Sequence, residues 1–234
     1  MSEVISTGVN ARKREISMSN EWMRKSIHLS SVGISILYCF LSKSTMLWLL
    51  VPFTAFAIFV DYGRYYIGWV NKYVQLVFGP ILREHENDDK KKLLSGGSYV
   101  VISACLCIII FPKVIAITAF TILIVSDATG ALLGRKFGKR KFFDKSLEGS
   151  IAFFISALIV VLVMPKIQGL PVEFWVGALA ALVGTIIEAM SIRLKLDDNF
   201  SVPCTVGLTM WVAYFILAHI GDPAYEVLYR QLMQ

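Results

Sequence analysis

The feature that most constrains this chain is the recurrence of long apolar stretches with almost no charge. They run from Ile27 to Leu41, Thr45 to Val60, Gly97 to Phe111, Val114 to Leu133, Ile151 to Met164, Val172 to Met190 and Val206 to Ile220. At 14 to 20 residues they exceed the strands of a soluble core and match helices made for hydrocarbon. Composition agrees: 56% of the 234 residues are hydrophobic and 17% charged, far from the balance of a water-soluble domain. The expected fold is all-α, a polytopic transmembrane helix bundle of about seven spans. Several stretches fall short of the roughly 20 residues that cross about 30 Å of hydrocarbon. Their helices are therefore expected to continue into the polar flanks.

Residues 1–21 are polar, and no small-residue cleavage site follows the first apolar stretch. The first span is therefore expected to be a signal anchor behind a polar cytoplasmic tail, 1–21, rather than a removable signal peptide. The membrane domain is expected over 22–220, with a short C-terminal tail over 221–234. Placing the N-terminus in the cytoplasm puts 19 of the 23 Lys and Arg residues on that side. These are Arg12, Lys13, Arg14, Arg24 and Lys25 before the first span, Arg64, Lys72, Arg83, Lys90, Lys91 and Lys92 after the second, Arg135, Lys136, Lys139, Arg140, Lys141 and Lys145 after the fourth, and Arg193 and Lys195 after the sixth. Lys43, Lys113, Lys166 and Arg230 fall on the other side. The positive-inside bias then predicts a cytoplasmic N-terminus and an outer C-terminus. The net charge of +6 sits mostly on the cytoplasmic face, where anionic headgroups and nucleotide phosphates are natural partners.

Between Arg64 and Arg83, Tyr66, Trp69, Val70, Tyr73, Val74, Val77, Phe78 and Ile81 recur at helical spacing. Such a helix over 64–83, rich in aromatic rings, suits the headgroup level. Cys39, Cys105, Cys107 and Cys204 lie in or beside apolar stretches without a Cys-x-x-Cys pair, so neither a disulfide framework nor a zinc site is expected. There is no internal repeat and no low-complexity linker.

A carboxylate in hydrocarbon costs several kcal/mol unless it faces protein or water. His28, Asp61, Asp127, Glu148 and Glu188 all fall at cytoplasmic helix ends in the seven-span arrangement. A shared, water-accessible vestibule on that face explains them together. Its densest stretch runs from Ser126 to Ser150. On a helix Asp127, Gly130, Ala131 and Gly134 share one face, and small residues there admit another helix or a ligand closely. Arg135, Lys136, Lys139, Arg140 and Lys141 follow in a basic cytoplasmic loop expected over 134–150, with Gly134 and Gly138 free to bend around phosphate oxygens. A carboxylate for a divalent metal beside cations for phosphate is the equipment of phosphoryl or nucleotidyl transfer. No G-x-x-x-x-G-K-[ST] loop occurs, so this is not a Walker A site.

Four motifs in order resemble the CTP-dependent lipid kinases, the family of dolichol kinase, phytol kinase and the yeast-type diacylglycerol kinase. They are R-K-x-x-H at Arg24, Lys25 and His28, D-x-x-G-x-x-x-G-R-x-F-G from Asp127 to Gly138, K-S-x-E-G-S from Lys145 to Ser150, and D-D-N-F-x-x-P from Asp197 to Pro203 preceded by Glu188. The Gly96-Gly97-Ser98-Tyr99 opening of the third apolar stretch is also similar, and the resemblance covers Trp22 to Tyr214. The D-D-N-F box and the short core look most like the diacylglycerol kinase branch. The resemblance implies transfer of the γ-phosphate of CTP, as co-substrate, to the hydroxyl of a membrane lipid alcohol, diacylglycerol or a polyprenol, at the cytoplasmic face. It implies Mg²⁺ or another divalent cation, held by Asp127 with Asp198 or Glu188. Arg24, Lys25, Arg135, Lys139 and Lys145 are implied phosphate contacts, alongside the backbone at Gly130 and Gly134. Glu148 or Glu188 would orient or deprotonate the hydroxyl. His28 would donate to phosphate or serve structure, and Asn199 would read the nucleotide or complete the metal shell. No nucleic acid is expected among the partners.

Two other classes remain open on the sequence. A phosphatidate cytidylyltransferase also uses CTP and metal in a multi-span protein, but its terminal D-R-x-D box has no counterpart here. A transporter or non-catalytic scaffold would be favoured by inverted repeats or helix-interrupting Pro pairs, and the sequence has neither.

Overall fold

A computed structural model of the chain describes residues 18–79, 82, 94–194, 197–220 and 222–233. Arg12 to Arg14, Arg83, Lys90 to Lys92 and Lys195 lie outside the described residues. The described elements are α1 (Met18–Ser30), α2 (Val32–Phe40), α3 (Lys43–Gly63), α4 (Gly68–Phe78), α5 (Gly96–Ile110), α6 (Lys113–Phe137), β1 (Lys141–Phe142), β2 (Lys145–Ser146), α7 (Leu147–Val163), α8 (Pro171–Met190), α9 (Asp198–Ala218) and α10 (Pro223–Leu232). The architecture is thus almost entirely helical, as the apolar periodicity predicts.

Every apolar stretch lies in helix. Among the described residues four helices, α3, α6, α8 and α9, are long and apolar enough to cross a membrane. Helices α5 and α7 are apolar but have 15 and 17 residues, a rise of about 22 and 26 Å. The first stretch is divided, because the helix breaks at Ser31 between α1 and α2. Seven full-length spans are therefore not what helix length alone supports.

α6 is the axis of the bundle. Every residue from Ile115 to Ile124 is buried, as expected of a helix apolar on all sides, and α7, α9, α2, α5 and α1 pack around it. α3 is the opposite case: it is apolar, yet Trp48, Phe53, Phe56 and Phe59 are all more than half exposed. A surface of that kind is stable in lipid and a liability in water. α4 is amphipathic as expected, but its inner residues are Val70 and Val74, while Trp69, Tyr73, Leu76 and Val77 face outward.

Two segments differ from the sequence reading. Between 134 and 150 the chain is not one loop: α6 runs on to Phe137, α7 begins at Leu147, and a two-stranded antiparallel hairpin pairs Lys141 with Ser146 and Phe142 with Lys145. Gly134 and Gly138 permit this, because their lack of Cβ lets α6 press against Ser146 and Gly149. The C-terminal segment is helical where the reading has a tail. Asp222 caps α10 by accepting from the Ala224 N–H at 2.9 Å, and Leu228 and Leu232 bury one side of α10 against α9.

Antiparallel packing sorts the polar groups to the two ends. At one end Lys43 donates to Ile109 O at 2.9 Å, Lys113 to Leu41 O at 3.0 Å, and Lys166 to Val161 O and to Met164 O, the latter at 2.6 Å. Each lysine thereby satisfies carbonyls left over at a helix C-terminus. The catalytic candidates gather at the opposite end.

Candidate functional site

Five elements converge where α6 leaves the core. α1 presents Lys25 and His28, three residues apart and so on one helix face. α6 supplies Asp127, β2 supplies Lys145, and α8 and α9 bring Glu188 and Asp198 from their facing ends. Lys25 Nζ donates to Asp127 Oδ2 at 2.5 Å, and His28 Nε2 stands 3.3 Å from the same oxygen. Lys145 Nζ lies 2.9 Å from Glu188 Oε1 and 3.3 Å from Asp198 Oδ2. Lys25, Asp127 and Glu188 are each only 5% exposed. Removing such charges from water is costly unless they are paired and hydrogen-bonded, and here each has a partner.

One carboxylate oxygen from each of Asp127, Glu188 and Asp198 lies within 4.8 Å of the others. Oxygen donors of this kind, gathered from three helices, fit a hard divalent cation such as Mg²⁺. Burial pushes the Lys145 ammonium down, but the carboxylates of Asp198, Glu188 and Asp127 outweigh it and hold its pKa above the ordinary value. Lys145 is thus firmly charged at the centre of the acidic set.

Beside this cluster lies a cleft of about 440 Å³. Its walls carry Arg135, Lys139, Arg140, Lys141 and Lys145, with Asp144, Ser146 and Glu188 completing the polar lining. Five cations around one opening make an anion-binding surface. Gly130 and Gly134 also line it, yet their small size mainly serves the crossing of α6 and α7: a Cβ on Gly149 would stand 3.0 Å from both Gly130 O and Gly134 Cα.

The residues chosen from sequence divide accordingly. Lys25, His28, Asp127, Lys145, Glu188 and Asp198 meet in one cluster, and Gly130, Gly134, Arg135 and Lys139 line the adjoining cleft. Arg24 is half-buried on α1 next to Lys25. Glu148 stands apart. Its carboxylate accepts the Lys139 N–H at 3.0 Å and the Arg140 N–H at 3.3 Å, so it organises the loop beneath the cleft instead of joining the other acids. Asn199 gives its side-chain amide to Asp197 Oδ1 at 2.9 Å, at the start of α9. Asp61 also lies outside the cluster: it accepts the Ser95 N–H at 2.8 Å and the Ser95 hydroxyl at 2.7 Å, tying α3 to the start of α5. The cluster thus holds His28, Asp127 and Glu188, three of the five embedded groups expected to share one site. Asp144, which the sequence does not single out, lines the cleft together with Ser146 of the K-S-x-E-G-S motif; its place next to Lys145 was the available signal.

Comparison with known proteins bears on this arrangement. No family model and no solved structure matches the chain. An uncharacterized protein of Rickettsia prowazekii is 31% identical over 197 residues, covering 84% of this chain and 96% of that protein. The CTP-dependent diacylglycerol kinase 1 of Schizosaccharomyces pombe is 28% identical over 150 residues, 58% of this chain and 66% of the kinase. The probable chloroplastic phytol kinase 2 of Glycine max is 29% identical over 172 residues, 67% of this chain and 57% of that protein. The chain therefore spans about two thirds or less of the named kinases it matches. The named kinases among these relatives, together with the ordered motifs that meet in one polar cluster, support the family of CTP-dependent lipid kinases for this chain.

Proposed function

We propose that this protein is a membrane-embedded kinase that transfers the γ-phosphate of CTP to the hydroxyl of a lipid alcohol, diacylglycerol or a polyprenol. The observation that carries the proposal is the junction of a five-cation cleft with a buried set of three carboxylates. Phosphoryl transfer calls mainly for positioning and charge neutralisation, and this junction offers both. The cations of Arg135, Lys139, Arg140 and Lys141 hold the polyphosphate in the cleft. Lys145 sits between cleft and cluster and steadies the reacting end. Asp127 and Asp198, with Glu188 beside them, would hold a divalent metal, which when bound supplies neutralising positive charge at the phosphates. Glu188 orients the lipid hydroxyl and takes its proton, since both Glu148 oxygens are committed to the loop. The hydroxyl oxygen then forms the new bond to the γ-phosphorus as the bond to the β-bridging oxygen breaks and CDP leaves.

Seven membrane passages with a cytoplasmic N-terminus place this polar end in the cytoplasm, where CTP is available. The asymmetry of Lys and Arg supports that orientation. The short α5 and α7 then cross where the bilayer thins or their polar flanks enter it. Cysteine introduced at Lys141 is expected to be shielded from an impermeant thiol reagent in intact cells, while one at Gln168 labels. The reverse pattern would overturn the orientation.

The reaction itself is tested by which phosphorus moves. Purified protein is given a divalent metal, a panel of diacylglycerol, phytol, farnesol and longer polyprenols, and CTP labelled at either the α or the γ position. Label from the γ position is expected in the lipid phase and label from the α position is not. Transfer only from the α position, when phosphatidate is supplied, would identify a cytidylyltransferase instead.

A further inference from the structure

One residue of the cleft wall, Asp144, and the arginine bonded to it from outside the lining, Arg193, are not used by the mechanism above. Asp144 lines the cleft at the tip of the β1–β2 hairpin, and Arg193 approaches it from the turn after α8. The Arg193 N–H donates to Asp144 Oδ2 at 2.8 Å and its Nε to Oδ1 at 3.0 Å. The Asp144 N–H is in turn fixed to Ala189 O at 3.0 Å. Phe143, just before it, has φ +51°, the left-handed conformation that a bulky side chain rarely adopts. The Arg193 guanidinium lies 5.4 Å from the Phe143 ring centroid, and Phe142 packs against Phe143 at 4.7 Å. Together these contacts hold an unusual backbone in place and set Asp144 on the cleft wall.

The chemistry of the pair is distinctive. Arg135, Lys139, Arg140 and Lys141 can only donate, which suits phosphates. Among the described lining residues the carboxylates are those of Asp144 and Glu188, and Glu188 lies inward against Lys145. Each Asp144 oxygen accepts one bond from Arg193 and retains capacity for another. Arg193 uses its Nε on Asp144, and among the described residues its two terminal nitrogens have no hydrogen-bond partner. An acceptor beside paired donors is the complement of one pyrimidine edge. Cytosine presents an amino donor at position 4 and acceptors at N3 and O2; uracil reverses the first two.

We infer that Asp144 and Arg193 read the nucleotide base, Asp144 accepting from the 4-amino group of cytosine and the Arg193 terminal nitrogens donating to its N3 and O2. Uracil would set its O4 against the carboxylate and its N3–H against the guanidinium, two mismatches at once. The inference rests on the proposed use of a nucleotide at this site, and it goes further in naming the groups that choose the base.

Equilibrium binding of CTP, UTP and ATP to the full-length purified protein tests it, with transfer assayed separately. Wild-type protein is expected to bind CTP more tightly than UTP by about tenfold or more. Asp144→Asn replaces an acceptor with an amide that also donates, so the CTP-to-UTP preference should fall by about tenfold. Arg193→Gln, which leaves the backbone bonds of Asp144 to Arg193 N–H and Ala189 O available, should lower the same ratio and carries the test if Asp144→Asn does not fold. A wild type without preference for CTP, or variants whose CTP and UTP affinities fall by the same factor, would overturn the inference and leave the pair a structural clasp. A ratio that shifts as expected in protein without γ-phosphate transfer would sink the kinase proposal and leave the base reading standing.

Discussion

Asp127→Asn is expected to lower phosphate transfer by about 10³-fold or more, because it removes the buried carboxylate on which Lys25, His28 and the proposed metal converge. The substitution preserves size, so it tests charge rather than shape. It has a second consequence, since the Lys25 ammonium is 5% exposed and bonded to Asp127. Breaking a buried ion pair from one side leaves an uncompensated charge, at a cost of about 3–5 kcal/mol. The single variant should therefore melt earlier in detergent than the wild type. Pairing it with Lys25→Met removes the stranded charge and should restore much of the thermal stability while activity stays lost. Near-wild-type turnover in the purified single variant would remove Asp127 from the chemistry. A double variant that regains activity along with stability would assign the pair to structure alone.

Lys145→Met should reduce turnover by about 10²-fold, through a different physical route. Lys145 lies within 3.3 Å of both Glu188 and Asp198, and it also lines the cleft. Without its ammonium the carboxylates repel one another, and the phosphate end of the cleft loses its innermost cation. The same lysine competes with any divalent cation for those oxygens. Mn²⁺ binding, followed by its paramagnetic resonance signal, should therefore tighten in Lys145→Met while transfer falls. Lys145→Arg retains charge but not the compact ammonium, and should fall between the two in turnover. Turnover within a few-fold of wild type for Lys145→Met, or weaker Mn²⁺ binding, would contradict the assignment.

What the sequence determined by itself was the material of the bundle and part of the membership of its polar cluster. Apolar runs of 14 to 20 residues can bury their backbone polar groups only as helices, and that physical demand does not depend on how the helices meet. Ionisable residues inside such runs must find one another or water, which is why His28, Asp127 and Glu188 could be grouped before any packing was known. The tertiary structure decided which partners they take. Asp61 and Glu148 carry the same charge in similar settings, yet one closes on Ser95 and the other on the backbone of Lys139 and Arg140. That choice is made by the rotation and depth of neighbouring helices, and hydropathy does not encode either. The hairpin inside the basic segment and the meeting of Asp144 with Arg193 across 49 positions have the same origin. Each depends on side chains from distant segments coming within a few ångströms, a condition set by the close crossing of α6 and α7 at Gly130, Gly134 and Gly149 and by the turn that returns α8 to the cleft.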